Sequence, residues 1–264
     1  MNTEKVISDL QKVRENAPLV HNITNYVVMN SSANALLSLG ASPVMAHALE
    51  EVEEMASIAS AVVLNIGTLS DKWIEAMFKA GRKAKENGVP VILDPVGAGA
   101  TKLRTETAKK LIDEVQPDII RGNASEILAL VMADAKTKGV DSSASSDDAL
   151  EIARDRAAAN NCIVSVSGKT DYITDGTKVA AVQNGDAMMG RVTGTGCAAT
   201  AITGAFAGVS DSWFDAAAGA MVIMGVAGEM ARQKADAPGT FQVKFLDALY
   251  QIGEKDIKTK AKIG

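Results

Sequence analysis

The chain has 264 residues, 47% of them hydrophobic and 4% aromatic, which is long enough to bury a full core and neither disordered nor fibrous in composition. Against 32 acidic side chains stand 27 basic ones, and the net charge of −5 argues against nucleic acid phosphates as a main partner. Two cysteines, Cys162 and Cys197, cannot build a disulfide framework and point to a reducing cytoplasm.

The opening segment is charged throughout and sets Val6, Leu10 and Val13 at helical spacing, an amphipathic helix rather than a signal peptide. Short β-branched runs at 18–24, 42–46, 61–67, 89–96, 118–122 and 163–167 predict strands. Several are apolar on both faces, as in parallel strands held between helices. Helices are predicted at 26–39 with Gly40 as C-cap, at 72–86 behind Ser70, from Thr105 to Val115, and from Asp147 to Ala159. Runs at 172–174 and 178–182 flank Asp175-Gly176, a hairpin signal, and two small-residue helices follow at about 197–207 and 215–233. The uncharged run 192–210 opens on a glycine turn and carries five threonines or serines, so a buried helix is expected rather than a membrane span; the next apolar run, 216–228, is too short to span. The Ser-Asp stretch 141–148 is read as a surface loop, leaving residues 1–264 as a single doubly wound α/β domain with a mostly parallel sheet.

In such sheets ligands bind beyond the carboxyl ends of the strands. Asp94 ends the strongest strand, Arg121, Asn123 and Glu126 follow another, Ser167 ends a third, and Gly194-Thr195-Gly196-Cys197 opens a helix. Each has a plainer explanation. Asp before Pro starts turns, 123–126 is nearly a capping box, Gly194–Gly196 could be a tight turn, and Cys197 could be a small buried thiol. His21 and His47 lack metal-like spacing and are expected to be structural. Gly168-Lys169-Thr170 lacks the first glycine of a P-loop and precedes a strand; 97–102 lacks the third glycine of a dinucleotide fingerprint, with no helix expected directly after it. Taken together, the remaining residues suit phosphoryl transfer. The Gly194-Thr195-Gly196 backbone at a helix N-terminus would receive an anion, Cys197 would face the transferring group, Asp94 and Glu126 offer oxygens for Mg²⁺, and Arg121 could neutralise ATP phosphates.

Five segments, 18–25, 40–45, 93–99, 121–126 and 192–197, together make the chain resemble the hydroxyethylthiazole kinase family of the ribokinase-like superfamily, over nearly its whole length. The cysteine at 197 is the sharpest marker, because most sugar and vitamin kinases of that superfamily carry aspartate there. The resemblance implies a three-layer α/β/α fold, ATP-dependent phosphorylation of the primary alcohol of 4-methyl-5-(2-hydroxyethyl)thiazole in thiamine salvage, and a homotrimer with substrate pockets near subunit interfaces. It implies further that Asn25, Val27, Met45, Gly67 and Gly194 line the thiazole pocket. Arg121, Asn123 and Ser167 would hold ATP, Asp94 and Glu126 would organise Mg²⁺, and Cys197 would take the place of the catalytic aspartate. The helix terminus and the neighbouring carboxylates pull the thiol's pKa in opposite directions, so a partly ionised, modest base is expected. Rival readings are a hydroxymethylpyrimidine or pyridoxal kinase, a nicotinamide-hydrate dehydratase, which should keep aspartate at 197, and a non-catalytic nucleotide sensor. Nucleic acid and membrane are not expected as partners.

Overall fold

The computed structural model describes residues 2–131 and 145–264. Eight strands form one sheet: β1 (Leu19–Ile23), β2 (Ser42–Val44), β3 (Ala61–Asn65), β4 (Val91–Asp94), β5 (Ile119–Asn123), β6 (Ile163–Ser167), β7 (Asp171–Thr174) and β8 (Val179–Val182). Their spatial order is β2-β1-β3-β4-β5-β6-β7-β8, parallel through β6 and antiparallel for the last two. Prolines set the short extent of β4: Pro90 precedes it and Pro95 follows, each without an N–H for a ladder, so it occupies only part of the predicted 89–96.

Helices α1 (Thr3–Asn16), α2 (Met29–Leu39), α8 (Thr195–Ala207), α9 (Trp213–Arg232), α10 (Pro238–Gln251) and α11 (Glu254–Lys260) surround one core. Helices α3 (Val52–Ile58), α4 (Asp71–Glu86), α5 (Lys102–Val115), α6 (Ala124–Val131) and α7 (Ser146–Asn160) accompany the other. Side-chain alternation along the strands separates the two cores. Ala61, Val63, Ile92 and Ile119 belong to the first, whereas Val62, Leu64, Leu93 and Ile120 belong to the second. The result is the expected three-layer α/β/α arrangement.

Some boundaries differ from the predicted ones. Residues 26–28 form a turn rather than the start of α2, held by Val28 N–H to the Asn25 carbonyl and by Tyr26 N–H to Thr68 Oγ1. Thr101, not Thr105, caps α5 by accepting the Arg104 N–H, so a helix does open directly after the glycine-rich 97–102, although that segment still lacks the third fingerprint glycine. Ser145, not Asp147, caps α7 in a capping box with Asp148; residues 141–144 of the predicted 141–148 loop lie outside the described residues. Among the described residues α9 is long and apolar enough to cross a membrane, beyond the 216–228 run visible in sequence, but 78% of its most apolar window is buried in the fold.

Helix α8 reaches the sheet because its inner face is small. A Cβ on Gly204 would sit 3.0 Å from Val63 Cγ2 and 3.1 Å from Val20 Cγ1. Gly204→Val should therefore overpack this contact and lower stability by about 1–3 kcal/mol, read from urea unfolding midpoints. An unchanged midpoint would show that α8 can shift freely on the sheet.

Candidate active site

The alternation that builds the first core also aims the polar strand ends. Asn65 continues the parity of Val63, Asp94 that of Ile92, and Arg121 that of Ile119, so all three lie on the α8 side. Asn65 and Asp94 are register partners at the ends of β3 and β4, and Asn123 and Ser167 at the ends of β5 and β6. Gly194 caps α8 with φ +84°, a left-handed conformation natural to glycine, and this turn starts the helix at Thr195 rather than at the predicted 197. The opening N–H groups of α8 lack intrahelical partners by geometry and face the strand ends.

Asp94 is buried, and one of its oxygens, Oδ2, accepts from Asn65 Nδ2 and from Thr200 Oγ1, each at 2.8 Å. Burial pushes its carboxyl up to about 7; Arg121 opposes the rise, Glu126 adds to it, and the bonds from Thr200 and Asn65 oppose it again. Cys197 Sγ accepts from Asn65 Nδ2 at 3.2 Å and from Asn25 Nδ2 at 3.7 Å. Burial, and next the charge of Asp94, push this thiol up to about 11. The expected partial ionisation is thus corrected. Desolvation and the Asp94 charge outweigh the bonds from Asn65 and Asn25 and the charge of Arg121, and Cys197 is a neutral thiol at neutral pH.

Arg121 donates from Nη1 to the Gly196 carbonyl at 3.0 Å, which joins β5 to the first turn of α8. Its Nε is buried with no hydrogen-bond partner among the described residues. Arg121, Ser167, Thr195 and Gly196 line a cavity of about 840 Å³ that extends to Met189 and Met224, the size of a small-molecule site. Asp171 also lines it, raised by burial to about 6 while its Oδ1 accepts the Gly168 N–H. Thr195 Oγ1 is occupied with the Val192 carbonyl at 2.9 Å, and Ser167 Oγ with the Gly122 carbonyl at 3.4 Å.

Glu126 and Asn123 form the capping box of α6, with Asn123 N–H donating to Glu126 Oε2 and Glu126 N–H to Asn123 Oδ1, both at 2.9 Å. Glu126 Oε1 accepts the Gly97 N–H at 2.9 Å. Its carboxylate is therefore held in place while remaining near enough to Asp94 to affect its ionisation. No cluster of three or more metal-ligating side chains exists among the described residues. Two carboxylates opposed chiefly by Arg121 are a donor set that fits Mg²⁺ carried in by nucleotide phosphates, since Mg²⁺ keeps several waters and needs one or two protein carboxylates.

The residues assigned to the thiazole are only partly gathered. Asn25 is buried and bonded to Asn65, a Cβ on Gly67 would lie 2.5 Å from Asn25 Nδ2, and one on Gly194 would lie 3.0 Å from Val28. Met45 is half-buried just past β2. Val27 is not enclosed: it is 65% exposed, as is Tyr26. Beside this loop Tyr26 is tilted against Trp73 with ring centroids 4.7 Å apart, His47 stacks on Trp73 at 3.9 Å, and Trp73 Nε1 donates to the Thr24 carbonyl. His21 is buried with Nε2 against the Ala46 carbonyl at 2.7 Å.

Sequence reasoning missed Asn65 and Thr200. The signal for Asn65 is a lone amide between Leu64 and Ile66 at the end of an apolar strand; Thr200, one helical turn beyond Gly196, has no such marker.

The hydroxyethylthiazole kinase family profile matches residues 10–255. A hydroxyethylthiazole kinase of Leptospira biflexa is 54% identical over 257 residues, covering 97% of this chain and 96% of that protein. The solved structure of a hydroxyethylthiazole kinase protein from Pyrococcus horikoshii is 47% identical, with a TM-score of 0.91 over 99% of this chain and 98% of that one. A ribokinase-like superfamily protein from Enterococcus faecalis, 10% identical with a TM-score of 0.66 over 96% of each chain, shares the fold.

The raised thiol gives a test of the geometry. A thiol that titrates near 11 is about a thousandth ionised at pH 8, against roughly a quarter for a free one. Alkylation of Cys197 by iodoacetamide should accordingly run on the order of a hundredfold slower than for free cysteine at pH 8, and its rate should keep rising beyond pH 10. Asp94→Asn removes a charge that raises the thiol, and should move the profile to lower pH. A plateau near pH 9 in the parent would contradict the burial described.

Proposed function

The chain belongs to the hydroxyethylthiazole kinase family, and from that premise we propose that it transfers the γ-phosphoryl group of ATP to the primary alcohol of 4-methyl-5-(2-hydroxyethyl)thiazole in cytoplasmic thiamine salvage. The observation that carries the reading is Cys197 at the mouth of α8, bonded to Asn65 and Asn25 and flanked by Asp94 and Arg121. In this reading the whole chain acts as one kinase domain.

ATP occupies the cavity beside α8, with Arg121 and Ser167 around its phosphates, Asn123 at the strand end next to Ser167, and the Thr195–Gly196 backbone receiving the transferring group. Asp94 and Glu126 would hold Mg²⁺, directly or through its waters, and the ion would supply neutralisation of the phosphate charge. The thiazole lies by Asn25, Gly67 and Gly194, with Met45 and Val27 against its apolar faces. Its hydroxyl is directed at Cys197. A neutral thiol is a poor base, and phosphoryl transfer depends mainly on positioning and charge neutralisation, so little is asked of it.

Tyr26 and Val27, exposed beside the buried Asn25, form a wall of this pocket that one chain leaves open. A partner subunit covering it completes the site, and the assembly is a homotrimer. Sedimentation should give a trimer, and dilution that dissociates it should abolish thiazole binding. A monomer turning over at full rate would refute the shared pocket.

The functional test is a coupled ADP-release assay with MgCl₂, comparing the thiazole alcohol, hydroxymethylpyrimidine and pyridoxal. The thiazole alcohol should give the highest kcat/KM. A preference for another acceptor, or no turnover with any, would overturn the reading. In the same assay Cys197→Ala should lose about tenfold to a hundredfold in kcat with little change in KM for the thiazole, less than the full range of general-base help. Cys197→Asp should keep substantial activity. If alanine matches the parent, Cys197 only packs.

A further inference from the structure

We infer that Asn65 is a positioning residue for the transfer step, one amide that locks the alcohol-side groups Asn25 and Gly67 to the phosphoryl-side groups Asp94 and Cys197. The inference rests on the kinase reading above and on the hydrogen bonds of a single buried side chain. Asn65 Nδ2 donates to Asp94 Oδ2 at 2.8 Å and to Cys197 Sγ at 3.2 Å. Its Oδ1 accepts from Asn25 Nδ2 at 2.8 Å and from the Gly67 N–H at 3.0 Å. An amide has two hydrogens and two acceptor positions, and here all four are used.

The division between the two edges gives the residue its role. The donor edge faces groups that act on the phosphate, and the acceptor edge faces groups that frame the alcohol. Among the described residues Asn65 is the one side chain hydrogen-bonded to both Asp94 and Cys197. The parallel register that sets Asn65 beside Asp94 fixes one edge, and the turn from Asn65 to Gly67 fixes the other. A fully bonded buried amide has little freedom to rotate, so alcohol and phosphoryl sites keep a constant separation. Misplacement of reacting groups by about 1 Å can cost on the order of a hundredfold in rate.

Asn65→Asp separates the two edges. It keeps an oxygen toward Asn25 and Gly67 but replaces the donor with an oxygen facing the Asp94 carboxylate and the Cys197 sulfur. With the thiazole alcohol, ATP and MgCl₂, kcat should fall about thirtyfold to a hundredfold while KM for the alcohol stays within about threefold. Asn65→Ser removes all four bonds without adding charge, and should raise that KM and lower kcat together. It also serves as the test should the aspartate variant not fold. Parental turnover tests the kinase reading, whereas variant-to-parent ratios test Asn65. Alkylation of Cys197 gives a readout that needs no turnover: losing the amide donor should slow it severalfold in Asn65→Asp. A folded Asn65→Asp with parental kcat, an Asn65→Ser with parental constants, or an unchanged alkylation rate would overturn the inference.

Discussion

The hydrogen bonds from Asn65 and Thr200 to a single oxygen of Asp94 are the constraint on which the rest of the site depends. They hold a carboxyl group in a place from which water is excluded, where burial raises its pKa and these two bonds oppose the rise. Each donor comes from a different element, Asn65 from β3 and Thr200 from α8, so the bonds also fix the helix against the strand ends. Loss of either would leave a buried carboxyl under-bonded, which is among the more damaging changes a core can suffer.

The position of α8 translates this local arrangement into a binding site. Its glycine and alanine face lets the backbone approach β1 and β3, and its N-terminus then arrives beside Arg121 and Asp94. Positive charge from Arg121 and the helix terminus meets negative charge from Asp94 and Glu126 across a short distance. Such a centre is poor at holding a free anion or a free cation, and suited to one that arrives with the other, as a metal–nucleotide complex does. The same desolvation that raises Asp94 raises Cys197, which leaves the chain with an aligned thiol instead of an ionised one.

Much of this was legible in the sequence, for identifiable reasons. Strands β3 and β4 are apolar on both faces up to their polar last residues, so their pattern admits few alternatives. Asp94, Arg121 and Ser167 stand out in sequence because they fall toward the carboxyl ends of strands, where open parallel sheets bind ligands. Helix α3 is only seven residues long, too short to show a helical period, and α10 opens on Pro-Gly, which reads as a turn until the proline is seen at the first helical turn. The capping box at 123–126 was visible, but its use of both Glu126 oxygens on backbone N–H groups, one from Gly97, depends on distant chain. Asn65 and Thr200 work by convergence from separate elements onto Asp94, and the burial that determines the thiol's ionisation is likewise a tertiary property.

Burial raises the Asp94 carboxyl, and a metal–nucleotide complex at this centre should draw it back to its charged form. Calorimetric titration of Mg–ATP at pH 7, in buffers of different ionisation enthalpy, measures the protons exchanged on binding. A carboxyl raised by burial in the free protein and driven to its ionised form by the bound cation should release protons on binding. The parent should show this release and Asp94→Asn should lack it. Equal proton release by the two proteins would contradict the claim.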